Sequence, residues 1–103
     1  ADVATVLTDL LDQRAAIQAE ITKVKAQAQT DVQLESRQVD HYMVDAEREK
    51  KLLGEGITAR KTYLDAIHSV DMAKAKLEGT KKQLDQNLSA LNQRQKALTE
   101  ATK

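Results

Sequence analysis

Apolar and polar residues follow one another along this chain with the period of a helix, and the pattern is interrupted once, near its middle. From Tyr63 onward the positions Tyr63, Ile67, Val70, Lys74, Leu77, Lys81, Leu84, Leu88, Leu91, Gln95 and Leu98 are spaced by alternating steps of four and three, the rhythm of a helix packed along a single seam. Before the interruption Val3, Leu7, Leu10, Arg14, Ile17, Ile21, Val24 and Ala28 keep the same rhythm. The series then slips. Val32, Val39, Met43 and Ala46 rejoin it only after an extra step of four near Ala28 and Val32, a stutter that locally unwinds a supercoil. Between the two series lies Leu52-Leu53-Gly54-Glu55-Gly56-Ile57-Thr58, where two glycines tolerate positive φ and can end a helix. The pattern predicts an all-α antiparallel two-helix coiled-coil hairpin, with helices over about 2–53 and 58–102 and a turn at 54–57. Each arm would be roughly 70 to 80 Å long at the α-helical rise of about 1.5 Å per residue.

Folding the chain about Glu55 and Gly56 brings Met43 toward His68, Val39 toward Met72, and Ile21 and Val24 toward Leu88 and Leu91. Three positions in the second seam are polar. Lys74, Lys81 and Gln95 are expected to pack their stems and lift their polar ends to the rim, which thins the seam. Gly79 weakens its helix by about 1 kcal/mol relative to alanine.

Composition supports long helices over a thick core: there is no Pro, Phe, Trp or Cys, and aromatic residues make up 2%. Such a chain has apolar surface for a narrow helix-helix seam and little more. Sixteen Lys and Arg balance sixteen Asp and Glu, with the signs mixed along both arms. No basic field exists to gain from counterion release, so nucleic acid is disfavoured as a partner. No apolar run approaches the roughly 18 residues of a membrane-spanning helix. The chain opens on Ala1 and both ends read as helix interiors, so residues 1–103 are expected to be a single hairpin domain excised from a larger protein.

At the tip the residues become more specific. Arg48 is followed by Leu52-Leu53-Gly54, by Gly56-Ile57-Thr58, and by Tyr63-x-x-Ala66 in the second helix. This run resembles the hairpin tip of the membrane fusion protein family, the periplasmic adaptors of tripartite efflux pumps and of type I secretion. The family shows an arginine, a leucine pair, a glycine-containing turn and Tyr-x-x-Ala at matching spacings. Where its efflux members carry a tip serine, this chain has Ala59, with Thr58 the nearest hydroxyl. The specific likeness covers about a fifth of the chain.

The resemblance implies a hairpin projecting from a parent protein anchored at the inner membrane. Domains outside this chain would engage an inner-membrane transporter, copies of the full-length protein would associate, and the tip would dock on a TolC-type outer-membrane channel in the periplasm. Arg48, Leu52, Leu53, Gly54, Glu55, Gly56, Ile57 and Thr58 are the candidate contact residues. An arginine offers charge-assisted bonds to carboxylates or carbonyls, and leucines offer apolar anchors. Each also has a plainer role: the leucines close the seam, Arg48 pairs with Asp45, and Thr58 caps the second helix.

Catalysis finds little support, because no cysteine nucleophile exists and Ser36, Ser69 and Ser89 stand on helical arms without an organised base. His41 with Asp45 and His68 with Asp71 could face each other across the hairpin as metal ligands, but histidines in such chains are more often surface or seam residues. No cofactor is expected. Two other readings fit the hairpin: a secreted helical-hairpin protein of the type VII class, which expects a Trp-x-Gly turn absent here, and a cytoplasmic coiled-coil oligomerisation module.

Overall fold

The computed structural model describes residues 2–102. It is an antiparallel hairpin of two helices, α1 at Val3–Gly54 and α2 at Arg60–Ala101. The connection therefore runs over 55–59, and α2 starts two residues later than the sequence pattern suggests.

Asp2 starts α1. Its Oδ1 accepts the Thr5 amide at 2.8 Å and its carbonyl accepts the Val6 amide at 3.2 Å, the geometry of an N-cap that satisfies donors left over by the first turn. The Thr5 backbone amide, and after it the Thr5 hydroxyl, hold the Asp2 carboxyl below its usual range. No helix among the described residues is long and apolar enough to cross a membrane.

The chain divides into two compact units. One comprises Thr30–Lys81 and carries the turn. Its inward positions are Val32, Glu35, Val39, Tyr42, Ala46, Glu49 and Leu53 on α1, and Tyr63, Ala66, Ile67, Val70, Ala73, Leu77 and Thr80 on α2. Here the seam departs from expectation. Lys74 and Lys81 are exposed, and Ala73 and Thr80, one residue earlier in each case, face inward. A lysine ammonium stays in water when a rotation of the helix can put a small neutral residue at the contact instead. Tyr42 likewise replaces Met43, which is 44% exposed; His68 and Met72, expected near Met43 and Val39, are exposed and line a groove with Tyr42 and Gln38 of α1. The observed register is fixed by Thr80, whose Oγ1 donates to Glu35 Oε1 at 2.9 Å across the seam. The other carboxylate oxygen, Glu35 Oε2, is buried without a partner.

The second unit comprises the chain up to Gln29 and from Lys82 onward. Leu10, Arg14, Ile17, Ile21, Val24 and Ala28 face Leu84, Leu88, Leu91, Gln95 and Leu98, and Ile17 lines one groove with Leu91 and Leu98. The positions proposed from the pattern hold here, Gln95 included, although its Oε1 is buried and unpartnered. Val3 and Leu7 are exceptions, at 82% and 41% exposed.

The stutter expected near Ala28 is present: the inward positions Val24, Ala28 and Val32 make two successive steps of four. A second stutter, invisible to the sequence reading, occurs at Thr80, Leu84 and Leu88. Both boundaries between the units fall inside these double steps. Packing is thin throughout. The buried apolar residues are Ile17, Ile21, Ala28, Val39, Val70 and Ala73, and no large side chain among the described residues is completely enclosed. Gly79 has open space around it, so it weakens α2 without permitting a close approach.

Thr80→Val leaves the Glu35 carboxylate without its partner and is expected to cost about 1–3 kcal/mol, and Glu35→Leu added to it should recover most of that loss; urea denaturation of the single and double variants measures both. Asp2 should also make stability depend on pH. Because its folded-state carboxyl is depressed, the stabilisation is present above the ordinary carboxylate range and disappears as pH falls through the lowered folded value. The stability gap between wild type and Asp2→Ala should therefore shrink in acid, and a gap constant with pH would contradict the assignment.

Candidate functional site: the hairpin tip

The tip is built by the way α1 ends. Gly56 N–H donates to Leu53 O at 3.0 Å and Ile57 N–H to Leu52 O at 2.9 Å, the paired bonds of a Schellman motif. Gly56 sits at the left-handed position with φ of 74°, where a Cβ would be strained. Glu55 N–H donates to Lys51 O at 3.1 Å, completing the helix end. The two glycines thus differ in role. Gly54 is the last residue of α1, lacks positive φ, and has open space where a Cβ would stand.

The start of α2 corrects a second expectation. Thr58 does not cap this helix; Ala59 occupies the cap position, with its carbonyl accepting the Thr62 amide at 3.0 Å and the Tyr63 amide at 3.4 Å. An alanine there has no side-chain acceptor for the first-turn amides. The first turn also contains no acidic residue, although carboxylates are the groups that the positive end of a helix favours. It carries Arg60 and Lys61 instead. The half-buried Thr58 side chain makes no hydrogen bond among the described residues.

The candidate contact residues separate into two groups. Leu52, Leu53 and Thr58 are half-buried and help close the end of the seam, as do Tyr63 and Ala66. Ile57 is 68% exposed, and Gly54, Glu55 and Gly56 are exposed around it. Arg48 is exposed too, and its Nη2 donates to Asp45 Oδ1 at 2.9 Å. That pair is the plainer role anticipated for Arg48, and its exposure makes it weak.

Asp45 also accepts a longer contact from His41 Nε2 at 3.5 Å. His68 lines a shallow groove with Tyr42, Ser69 and Met72, and Ser69 Oγ donates back to the Asp65 carbonyl at 3.2 Å. Among the described residues no three His, Asp or Glu side chains are placed together to hold a metal ion.

Sequence reading overlooked the cations beside the turn. Lys50, Lys51 and Arg60 are exposed, and no carboxylate among the described residues lies within ion-pair distance of them. Lys61 reaches Asp65 at 3.8 Å, with both side chains largely in water. Between Glu47 and Lys61 five Lys or Arg meet three Asp or Glu, a local excess hidden by the neutral total. Compared with known proteins, the chain matches no family model, no curated protein and no solved structure.

Gly56→Ala should destabilise the hairpin by about 1–2 kcal/mol, Gly54→Ala should be neutral or mildly stabilising, and Ala59→Ser should stabilise by about 0.5–2 kcal/mol by supplying the missing cap. Thermal unfolding followed by circular dichroism orders the three; equal effects of the two glycine variants would contradict the assigned turn.

Proposed function

We propose that this chain is the α-helical hairpin of a periplasmic adaptor of the membrane fusion protein family. In this reading it bridges an inner-membrane transporter to a TolC-type outer-membrane channel in tripartite efflux or type I secretion. The parent protein is anchored at the inner membrane, other domains engage the transporter, and several copies associate around a conduit. The tip docks on the channel and performs no chemistry.

The observation that carries this reading is the division of labour at the tip. The leucine pair and Tyr63-x-x-Ala66 lie half-buried at the end of the seam, which a self-supporting projection needs, while Arg48 and Ile57 stand exposed beside a turn fixed by Gly56. A rigid tip with an apolar side chain in water suits contact with another protein, because little conformational freedom remains to be lost on docking. A second reading, an oligomerisation module, draws on the exposed apolar side chains away from the turn: Leu34 at 58%, Val44 at 66%, Leu64 at 49% and Met72 at 60%. It leaves the tip motif without a role.

Site-specific photocrosslinking from Glu55 in the full-length parent protein, in cells, tests the adaptor reading. Capture of an outer-membrane channel is the expected result; capture of only another copy of the chain or a cytoplasmic partner would move it to the oligomerisation class. Arg48→Glu and Ile57→Asp should abolish transport with helicity unchanged. Leu52→Lys and Leu53→Lys should also lower stability, by about 1–2 kcal/mol, because each leucine is half-buried. Loss of helix content in parallel with transport for Arg48→Glu and Ile57→Asp would defeat the docking role.

A further inference from the structure

We infer that the tip recognises a carboxylate-rich rim on its protein partner, with Lys50, Lys51 and Arg60 as the recognising cations around an apolar anchor at Ile57. This deepens the adaptor reading and rests on it, since it takes the turn as the docking end.

Lys50, Lys51 and Arg60 are exposed, and none has a carboxylate partner among the described residues. Lys51, in the last turn of α1, sits where the helix dipole favours positive charge. Arg60 and Lys61 do not, because they open α2, whose first turn contains no acid and whose cap position is an alanine. Positive side chains at the positive end of an uncapped helix oppose local stability. Local choices that conflict with the fold concentrate where function constrains the sequence.

Ile57 supplies the other half. It is 68% exposed on a backbone held by the Leu52 carbonyl and the left-handed Gly56, so its backbone position is set before any partner arrives. An apolar centre with a charged rim is the arrangement of a protein docking site: the centre contributes affinity, and the rim contributes encounter rate and choice of partner. A bilayer is the other surface attractive to cations. Stable attachment to lipid takes more apolar insertion than one isoleucine provides, given that a whole myristoyl chain binds only marginally. A fixed cluster of carboxylates on a protein fits the rigid turn better.

The test uses the full-length protein carrying the photoreactive residue at Glu55, as wild type and as Lys50→Glu/Lys51→Glu/Arg60→Glu, with Lys50→Gln/Lys51→Gln/Arg60→Gln as a milder variant and circular dichroism as the check on helicity. We expect capture of the channel to fall about tenfold or more in the reversed variant and by less in the neutral one, with the captured channel peptides rich in Asp and Glu. Equal capture of the channel by all three proteins would overturn the inference and leave the adaptor reading intact. Capture of a different protein from wild type would end the adaptor reading, and the inference would then stand or fall on the same comparison of charge variants. Sedimentation with phosphatidylglycerol vesicles is the remaining arm: cosedimentation of wild type at physiological salt, lost on charge reversal, would overturn the inference in favour of a lipid surface.

Discussion

The hairpin depends on the chain reversing within a few residues, and the reversal rests on one backbone conformation. Gly56 takes a left-handed φ, and this lets its own amide and that of Ile57 return to the carbonyls of Leu53 and Leu52. Those bonds end α1 without leaving its last carbonyls bare. They also decide which side chains remain in the seam and which stand out in water. Without the reversal neither helix has a partner, and a long amphipathic helix alone in water is held only by its own propensity.

The helical architecture was legible because periodicity and glycine placement are local signals. The stutter at Ala28 and Val32 and the inward series from Leu10 to Ala28 were readable for the same reason. Reading failed where two neighbouring residues competed for one inward position. At Lys74 and Lys81 a regular heptad selected the lysines, but the cost of burying an ammonium turns Ala73 and Thr80 inward and introduces a second stutter between Thr80 and Leu88. Tyr42 takes the place given to Met43, a choice between adjacent residues that periodicity alone does not make.

At the tip, glycine placement located the turn, but the structural roles of the individual residues were less legible. Thr58 has a capping side chain, yet the connection needs two more residues after the Schellman bonds before α2 starts, which puts Ala59 at the cap. A signal was available in Ala59-Arg60-Lys61, since no capping residue stands directly before the helix and no acid enters its first turn. Arg60 and Lys61, directly after the uncapped Ala59, also contribute to the positive excess of the tip.

The bond between Thr80 and Glu35 has a mechanical consequence. Apolar seams slide easily, because one leucine replaces another after a shift of a heptad and nothing distinguishes the two settings. Here a shift of α2 along α1 would take the hydroxyl away from a carboxylate that already holds one buried oxygen without a partner, so each alternative setting carries an unsatisfied charge. The pair therefore acts as a detent within the unit that bears the turn. Within that unit, a push or pull along one helix would reach the turn as displacement, with little of it lost to sliding against the other.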